Sequence, residues 1–266
     1  MVDYSRYKCL KVEKKEKVAI VTLNLPETLN AITEALHLEL EDIWEDLDKD
    51  DQVNAVIVTG AGRAFSSGGN LKWIQSMAKD PSIRFPGSKM KKLIVGLVSL
   101  RKPTVAAVNG DCIGLGASVA LHSDIVIAAE NARFGDPHVA IGLVAGDGGC
   151  LIWPLLIGMA KAKQYLLTGE LIKAPEAERI GLISKVVPAE KLMEEAWKAA
   201  KKFADGPTQS VAWTKMCLNK ILLDRINLLF DTTIMCEMRS QYTEDHLEAV
   251  TAFLEKRAPK FKGGEI

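Results

Sequence analysis

The chain has 266 residues, 48% of them hydrophobic, which is enough to bury the core of one large domain with room for an appended helical region. Lysine plus arginine and aspartate plus glutamate balance at 34 each, so no overall positive charge attracts nucleic acid or an anionic membrane. The composition therefore predicts neither a nucleic-acid partner nor a membrane partner.

Cysteine usage and the N-terminal residues indicate a cellular compartment. The five cysteines are scattered, and none has a Cys-x-x-Cys or Cys/His spacing typical of a metal site. The opening stretch, "MVDYSRYKCLKVEKKEK", has no apolar run that would serve as a signal peptide, and later apolar stretches are broken before they reach a membrane-spanning length. We expect reduced thiols, no metal site and a cytoplasmic location.

The N-terminal half alternates strands and helices. "YKCLKV" and "VAIVTLNL" flank the charged "EKKEK", which is typical of two strands and a hairpin turn. Apolar residues recur at helical spacing over 33–49, which predicts an amphipathic helix with an acidic outer face, and "NAVIVTGAG" then predicts a buried strand. Residues 75–92 contain two prolines and scattered charge, which favours a mobile loop before a helix resumes at "KKLIVGLVSL".

The amino-acid composition of the second half changes near residue 190. "TVAAVNG", "GLGASVALHS" and "DIVIAAE" predict a strand, a short helix and another strand. Glycine then becomes scarce, and "KLMEEAWKAAKKFA", "TQSVAWTKMCLNKILL" and "HLEAVTAFLEKR" predict helices with an apolar stripe each. We predict an α/β core over residues 1–190 and a helical oligomerisation region over residues 191–266.

Two glycine-rich turns follow predicted strands, "AFSSGGNLKW" over 64–73 and "NGDCIGLGAS" over 109–118. Paired glycines let the backbone approach a ligand closely, and a helix N-terminus presents free N–H groups. The two turns together would be able to clamp one carbonyl oxygen from two sides. The alternative is that these glycines only make tight turns, which is the more common role of a short glycine motif.

Five segments, in their order and spacing, resemble the crotonase (enoyl-CoA hydratase/isomerase) superfamily over nearly the whole chain. They are "NLPETLNAIT", "GAGRAFSSGGNLK", "KPTVAAVNGDCIGLGASVALHSDIVIAAENARFGDPHVAIGLVAGDGG", "LLTGELIKAPEAERIGLISKVVP" and "AFLEKRAPKFKG". The resemblance implies an α/β fold, a spiral of ββα units with a C-terminal helical trimerisation region, assembled as a homotrimer or a dimer of trimers. It also implies an acyl-CoA substrate and no cofactor beyond the coenzyme A of that substrate.

The resemblance assigns backbone donors and substrate contacts to the two turns. The thioester oxygen would be held by the N–H groups of Gly69 and Leu115, the second a mild departure because relatives often have glycine there. The other implied substrate and coenzyme A contacts are Ser67, Gly68, Lys72, Gly114, Gly116, Lys256 and Lys260. Leu25 and Thr28 stand where relatives often carry a basic residue, which weakens the expected contact with the coenzyme A phosphate.

The expected catalytic side chains differ from those of a two-glutamate hydratase. The two glutamates map onto Ser118 and His138, and neither residue is acidic, so the usual pair of carboxylates with separated pKa values is absent from these positions. Asp147 stands where relatives usually have a small residue. An aspartate at one ring nitrogen of His138 would fix the tautomer and make the other nitrogen a base. The competing interpretation is a core histidine, with Asp147 capping the helix that follows it.

Other residues carry weaker expectations. Glu237 would be able to supply a missing carboxylate, although an ion pair with Arg239 or a solvated position is the simpler interpretation. His122 is interpreted as a core or subsite residue, whereas His37 and His246 lie on charged helices and are expected to face solvent. Four tryptophans are interpreted as core or interface anchors: Trp73, Trp153, Trp197 and Trp213.

Three functions remain open. The first is a hydratase or isomerase of an enoyl-CoA in which His138, Asp147, Ser118 and Glu237 are the candidate catalytic residues. The second is a C–C bond hydrolase of a β-dicarbonyl compound, because the His/Asp pair resembles the β-diketone hydrolase branch typified by 6-oxocamphor hydrolase. A nucleophilic Asp147, as in 4-chlorobenzoyl-CoA dehalogenase, ranks behind both because aromatic residues to hold an aryl ring are not evident. The third function is a non-catalytic homologue, including an RNA-binding one, which the balanced charge and the retained glycine pairs disfavour.

Overall fold

The computed structural model describes residues 2–80 and 87–264, and within them the chain forms two sheets and nine α-helices. The strands are β1 (Leu10–Lys15), β2 (Val18–Leu23), β3 (Ala55–Gly60), β4 (Ala64–Ser66), β5 (Thr104–Val108), β6 (Asp111–Ile113), β7 (Ile125–Ala129), β8 (Arg133–Gly135), β9 (Ile172–Lys173) and β10 (Lys185–Val187). The helices are α1 (Glu34–Lys49), α2 (Leu71–Lys79), α3 (Gly87–Ser99), α4 (Leu115–Leu121), α5 (Gly149–Thr168), α6 (Ala174–Arg179), α7 (Leu192–Ala204), α8 (Thr208–Ser240) and α9 (Glu244–Leu254).

The two sheets are built by a repeating unit. The larger sheet has the order β1-β2-β3-β5-β7-β10 and the smaller one β4-β6-β8-β9. After β3, β5 and β7 the chain crosses to a strand of the smaller sheet and then enters a helix. Neighbouring strands are parallel except in the β1–β2 hairpin and the β8–β9 pair. This architecture confirms the predicted α/β fold with ββα units.

The larger sheet is covered on both faces, which explains why its strands are continuously apolar rather than alternating. Strand β5 is buried at every position. One face packs against the main core with α1 and α3, and the other against a smaller cluster that includes α7. Ala196, Ala200 and Ala204 recur every fourth residue on α7, so that the helix can lie close to the sheet. Helix α7 belongs to the predicted region 191–266 but covers the core sheet, and the division at residue 190 stays a prediction.

The segment predicted as a mobile loop over 75–92 is helical at both ends, so that prediction was wrong there. Helix α2 begins after Asn70, whose side chain accepts hydrogen bonds from the N–H groups of Lys72 and Trp73, and it continues to Lys79. Helix α3 begins at Gly87 and buries one apolar face. Residues 81–86 of the predicted loop lie outside the described residues.

The histidines expected to face solvent are buried. His37 is fully buried. Helix α1, which carries it, also packs against α3, so the buried face of α1 is wider than its apolar stripe. His246 is fully buried because α9 packs on α2 and on the 3-10 helix His138–Ile141, and its Nδ1 contacts the carbonyl oxygen of Ile141 at 2.6 Å. His122 is buried, as predicted, and its Nδ1 lies 2.8 Å from the Ser118 carbonyl oxygen.

The positions of two tryptophans, the length of α8 and the character of the helices bear on earlier expectations. Trp153 is a core anchor, whereas Trp213 on α8 is 60% exposed. Helix α8 runs well beyond its predicted end and carries its buried residues to Glu237. Among the described residues, no helix combines the length and apolar character that crossing a membrane requires.

Candidate active site

The two glycine-rich turns meet at the ends of neighbouring strands. Strands β4 and β6 are paired in parallel, so the turns that follow them lie side by side. A Cβ placed on Gly114 would lie 3.7 Å from the Cα of Gly68 and 3.5 Å from Cε1 of His138. Gly68 and Gly114 both have positive φ, +86° and +55°, which side chains rarely adopt. The fold therefore brings together the first turn, the second turn and the predicted catalytic histidine.

The N–H groups of Gly69 and Leu115 are available as donors. Ile32 bridges to the first turn by accepting from the Asn70 N–H and donating to the Gly68 carbonyl, which leaves the intervening Gly69 N–H unused by the bridge. Leu115 is the first residue of α4, where an N–H group has no intrahelical acceptor. Both residues line the same cavity.

His138 is oriented by Asp136, a residue that the sequence did not single out. Its Nδ1 forms a short hydrogen bond with Oδ1 of Asp136, which follows β8 directly. Asp136 is buried, and a Cβ on Gly149 would lie 1.9 Å from its Oδ2. Gly149 is the first residue of α5, so the Asp136 carboxylate lies at the positive, N-terminal end of that helix, which is interrupted by a kink at Gly158. The tautomer expected to be fixed by Asp147 is thus fixed by Asp136.

Asp147 lies on the opposite side of the imidazole ring. Its Oδ2 is 3.6 Å from Nε2 of His138, which is too long for a hydrogen bond. Its Oδ1 accepts a hydrogen bond of 3.4 Å from the hydroxyl of Ser118. The alternative that Asp147 caps α5 is contradicted, because the N-cap is Gly148 and no side chain caps this helix. A water molecule or a substrate atom is therefore able to contact Nε2 and Oδ2 together.

Burial and mutual charge set the protonation states of the cluster. Burial disfavours the imidazolium of His138, but the charges of Asp136 and Asp147 outweigh it and raise the pKa of His138 well above its ordinary value. Burial raises the pKa of Asp147 to about 6, although the charge of His138 opposes it. Burial also raises the pKa of Glu237 to about 8, and the charge of Asp147 adds to the effect. These shifts favour an imidazolium at His138 and a neutral carboxyl group at Glu237.

The cavity above these groups has a volume of about 350 Å³. Its lining includes Ser67, Gly68, Gly69, Gly114, Leu115, His138, Asp147 and Glu237 from the predicted set. Glu237 is buried and lines the cavity, so neither the predicted ion pair with Arg239 nor a solvated position is found. Gly116 instead packs against Ser66, and three lysines lie exposed outside the lining: Lys72, Lys256 and Lys260.

The Asp136, His138 and Asp147 side chains also offer ligand atoms within 4.8 Å of one another, as a metal site would require. The two carboxylates, however, contact opposite nitrogens of the ring. An ion on either nitrogen would leave the other carboxylate on the far side of the imidazole. The expectation that the site needs no metal stays a prediction.

Two residues of the candidate site were missed from the sequence. Asp136 contacts His138 but does not line the cavity; it precedes His138 by two positions, and only the turn from β8 into the 3-10 helix brings the two side chains together. Gln241 lines the cavity and directly follows the last residue of α8, four positions after Glu237, a helical spacing that would have placed both on one face if α8 had been predicted at its full length.

Comparison with known proteins identifies the family of the chain. A family model described as enoyl-CoA hydratase/isomerase matches residues 13–264. The short-chain-enoyl-CoA hydratase of Clostridium acetobutylicum is 39% identical over 249 residues, covering 92% of this chain and 94% of that protein. The crotonyl-CoA hydratase of Syntrophomonas wolfei subsp. wolfei is 35% identical over 260 residues, covering 96% and 98%.

Solved structures agree as well. The crystal structure of an enoyl-CoA hydratase/isomerase from Mycobacterium paratuberculosis matches with a TM-score of 0.89 at 39% identity, covering 93% of this chain and 99% of that one. The resemblance found in the sequence is thereby confirmed for the superfamily, while the β-diketone hydrolase branch stays a prediction. The chain belongs to the enoyl-CoA hydratase/isomerase family of enzymes.

Proposed function

We propose that the protein hydrates an enoyl-CoA thioester with a His138–Asp147 pair in place of two glutamates. The observation that carries this proposal is the position of the pair: His138 lies against Gly114, the residue before Leu115, and both members of the pair line one cavity with Gly69 and Leu115. A water held by the pair would therefore lie next to a thioester held by the two N–H groups. The names of the relatives, enoyl-CoA and crotonyl-CoA hydratases, support the same class of substrate.

The protonation states suggest how the pair divides the work. Hydration requires one group that accepts a proton from water and one that gives a proton to the α-carbon. The Asp147 carboxylate is the acceptor and the His138 imidazolium the donor, because environments that separate two pKa values assign the base and the acid. Sequence reasoning assigned the base to His138, and the charged neighbours of the ring favour the reverse.

The proposed reaction runs through an enolate. Asp147 takes a proton from water, the oxygen bonds to the β-carbon, and the double-bond electrons move to the thioester oxygen between the N–H groups of Gly69 and Leu115. His138 then protonates the α-carbon, and the proton on Asp147 returns to the ring through the next water. Loss of one such N–H donor costs on the order of a hundredfold in rate. Ser118 holds Asp147 through its hydroxyl, and Lys72, Lys256 and Lys260 remain candidates for the coenzyme A phosphates.

The test is turnover of crotonyl-CoA in ¹⁸O-labelled water, followed by mass spectrometry of the product. We expect labelled hydroxyacyl-CoA from the wild type and a loss of about a hundredfold or more in Asp147→Asn and His138→Gln. Asp205→Asn makes the same chemical change on an exposed side chain and is expected to leave turnover unchanged. Absence of hydration by a folded wild type would overturn the hydratase proposal.

A second candidate function is hydrolysis of a C–C bond in a β-dicarbonyl compound. The supporting observation is the imidazole between two carboxylates, which suits attack of water on a ketone. Water would add to the ketone, the bond to the neighbouring carbon would break, and the departing enolate would use the same two N–H groups. Incubation of a β-ketoacyl-CoA and a cyclic β-diketone in ¹⁸O-labelled water tests this function, because cleavage places the label in a new carboxylate.

A further inference from the structure

One carboxyl group that lines the cavity has an oxygen without a hydrogen-bond partner. Glu237 lies on α8, is 3% exposed, and its Oε2 contacts no donor or acceptor in the described part of the chain. Helix α8 approaches this closely because Gly146 has no side chain: a Cβ there would lie 2.9 Å from that of Glu237. An unsatisfied buried polar group costs about 1–3 kcal/mol, so an orphan retained beside a cavity calls for a ligand.

The Glu237 carboxyl presents a donor to the cavity. Burial and the charge of Asp147 raise the pKa of Glu237 to about 8, so at neutral pH it is a carboxylic acid with an O–H. Gln241 is the C-cap residue of α8, four positions after Glu237, and lines the same cavity, adding an amide that donates and accepts.

Many of the other residues that line the cavity are apolar. They include Met77, Met90, Leu143 and Phe253. A saturated acyl chain would satisfy these surfaces but would leave the two polar groups desolvated and unpaired. A chain with an oxygen at the right carbon would pair them.

We propose that the preferred acyl group carries an uncharged oxygen, a ketone or a hydroxyl, in addition to that of its thioester, and that Glu237 and Gln241 bind this oxygen. The inference rests on the proposed acyl-CoA activity and specifies its substrate class. A carboxylate at the same place is disfavoured, because the charge of the buried Asp147 acts on Glu237 and would repel a further negative charge.

The test compares α,β-unsaturated CoA thioesters that carry a keto group near the end of the acyl chain with hydrocarbon thioesters of the same length. The quantity measured is the ratio of the two kcat/KM values in each variant, which cancels any general loss of activity. We expect the wild type to prefer the keto thioester by about tenfold or more. Glu237→Met should reduce the ratio to about one, and Gln241→Met should reduce it in part.

Two variants separate recognition from other roles. Glu237→Gln keeps a neutral donor of the same shape and is expected to retain the preference, whereas Asp231→Met changes an exposed acid of the same helix and should not alter the ratio. Turnover of the hydrocarbon thioester without a preference would overturn the inference and leave the hydratase proposal standing. Failure of the wild type to hydrate either thioester would instead overturn the hydratase proposal. Equal loss of both activities in Glu237→Gln would make Glu237 a proton-transfer group and overturn its role in recognition.

Discussion

At the scale of single residues, the site depends on Asp136 more than on any residue that the sequence pattern identified. Its carboxylate holds one nitrogen of His138 and contributes to the raised pKa of the ring. His138 therefore carries a proton that a neutral imidazole would lack. Removal of the Asp136 carboxylate is expected to change the pH dependence of catalysis as well as the rate.

We expect Asp136→Asn to move the basic limb of the pH–activity profile to lower pH. Without the neighbouring charge the pKa of His138 falls, so the imidazolium that donates the proton is lost earlier as the pH rises. The expected fall in kcat/KM is about a hundredfold. Steady-state rates measured across pH for the wild type, Asp136→Asn and the surface control Asp111→Asn test this shift. An unshifted basic limb in Asp136→Asn would contradict the assignment of His138 as the acid.

Gly149 is expected to tolerate no side chain. A Cβ at this position would lie 1.9 Å from Oδ2 of Asp136, so Gly149→Ala must displace the carboxylate or the start of α5. We expect a loss of stability of roughly 1–3 kcal/mol, measured by urea denaturation. Gly264→Ala has open space around its added Cβ and is the control. Equal stability of the two variants would mean that the contact relaxes without cost.

Glu237 gives a stability prediction with a definite sign. Its pKa is about 8 in the folded protein and near 4.5 when exposed, so over this interval the folded state keeps a proton that the unfolded chain releases. Its contribution is fully present below pH 4.5 and is lost as the pH rises through about 8. Glu237→Gln should therefore gain stability relative to the wild type as the pH rises toward 8. Parallel pH–stability curves in urea denaturation would exclude a neutral buried acid.

At the scale of elements, α8 links the sheet to the site. Near its start, Nζ of the buried Lys215 forms an ion pair of 2.7 Å with Asp124, which precedes β7, and also donates to the Lys102 carbonyl. Near its end the same helix carries Glu237 into the cavity. The register of α8 on the sheet is thus fixed at one end while its other end shapes the substrate cavity.

We expect Lys215→Met to destabilise the fold by roughly 1–3 kcal/mol, because it removes the hydrogen bonds that the buried ammonium donates to Asp124 and to the Lys102 carbonyl. The control on the same helix is Lys220→Met, which removes an exposed pair of 3.4 Å with Asp224 and should cost less than about 1 kcal/mol. Both values follow from denaturant unfolding. Similar losses in the two variants would show that the pair made by Lys215 contributes little more than an exposed one.

The elements were largely predictable from the sequence, and the contacts between them were not. Continuous apolar runs identify β3 and β5, and glycine turns after strands identify the two loops of the cavity. Helix α2 was missed because its second half falls within the stretch 75–92, whose two prolines and scattered charge favoured a loop. Asp136 was missed because the backbone geometry of the turn after β8 brings its side chain to His138, and the spacing of residues in the sequence does not reveal that geometry.

At the scale of the whole molecule, the described surface leaves many large apolar side chains exposed. On α8 they include Trp213, Met216, Leu218 and Ile221, each at least 58% exposed. Apolar surface of this extent on a helix is typical of an interface between subunits. The predicted homotrimer or dimer of trimers would cover it.

Sedimentation velocity should give the mass of three or six copies of the 29.1 kDa chain. Replacement of Trp213 and Met216 together by serine is expected to shift the distribution toward smaller species, since it removes buried apolar area from the contact. Lys220→Ser, on the same helix, should leave the distribution unchanged. A monomeric wild type at micromolar concentration would contradict the predicted assembly.

The order in which the cavity groups occur along the chain has a consequence for biosynthesis. The turn after β4, the turn after β6, the 3-10 helix and α8 each contribute groups, and α8 is the last of these four along the chain. During translation the cavity therefore remains incomplete until α8 has left the ribosome. Parallel strands that must pair across long stretches of sequence also fold slowly. We expect nascent chains that end before α8 to lack activity and to be the species that most need chaperones.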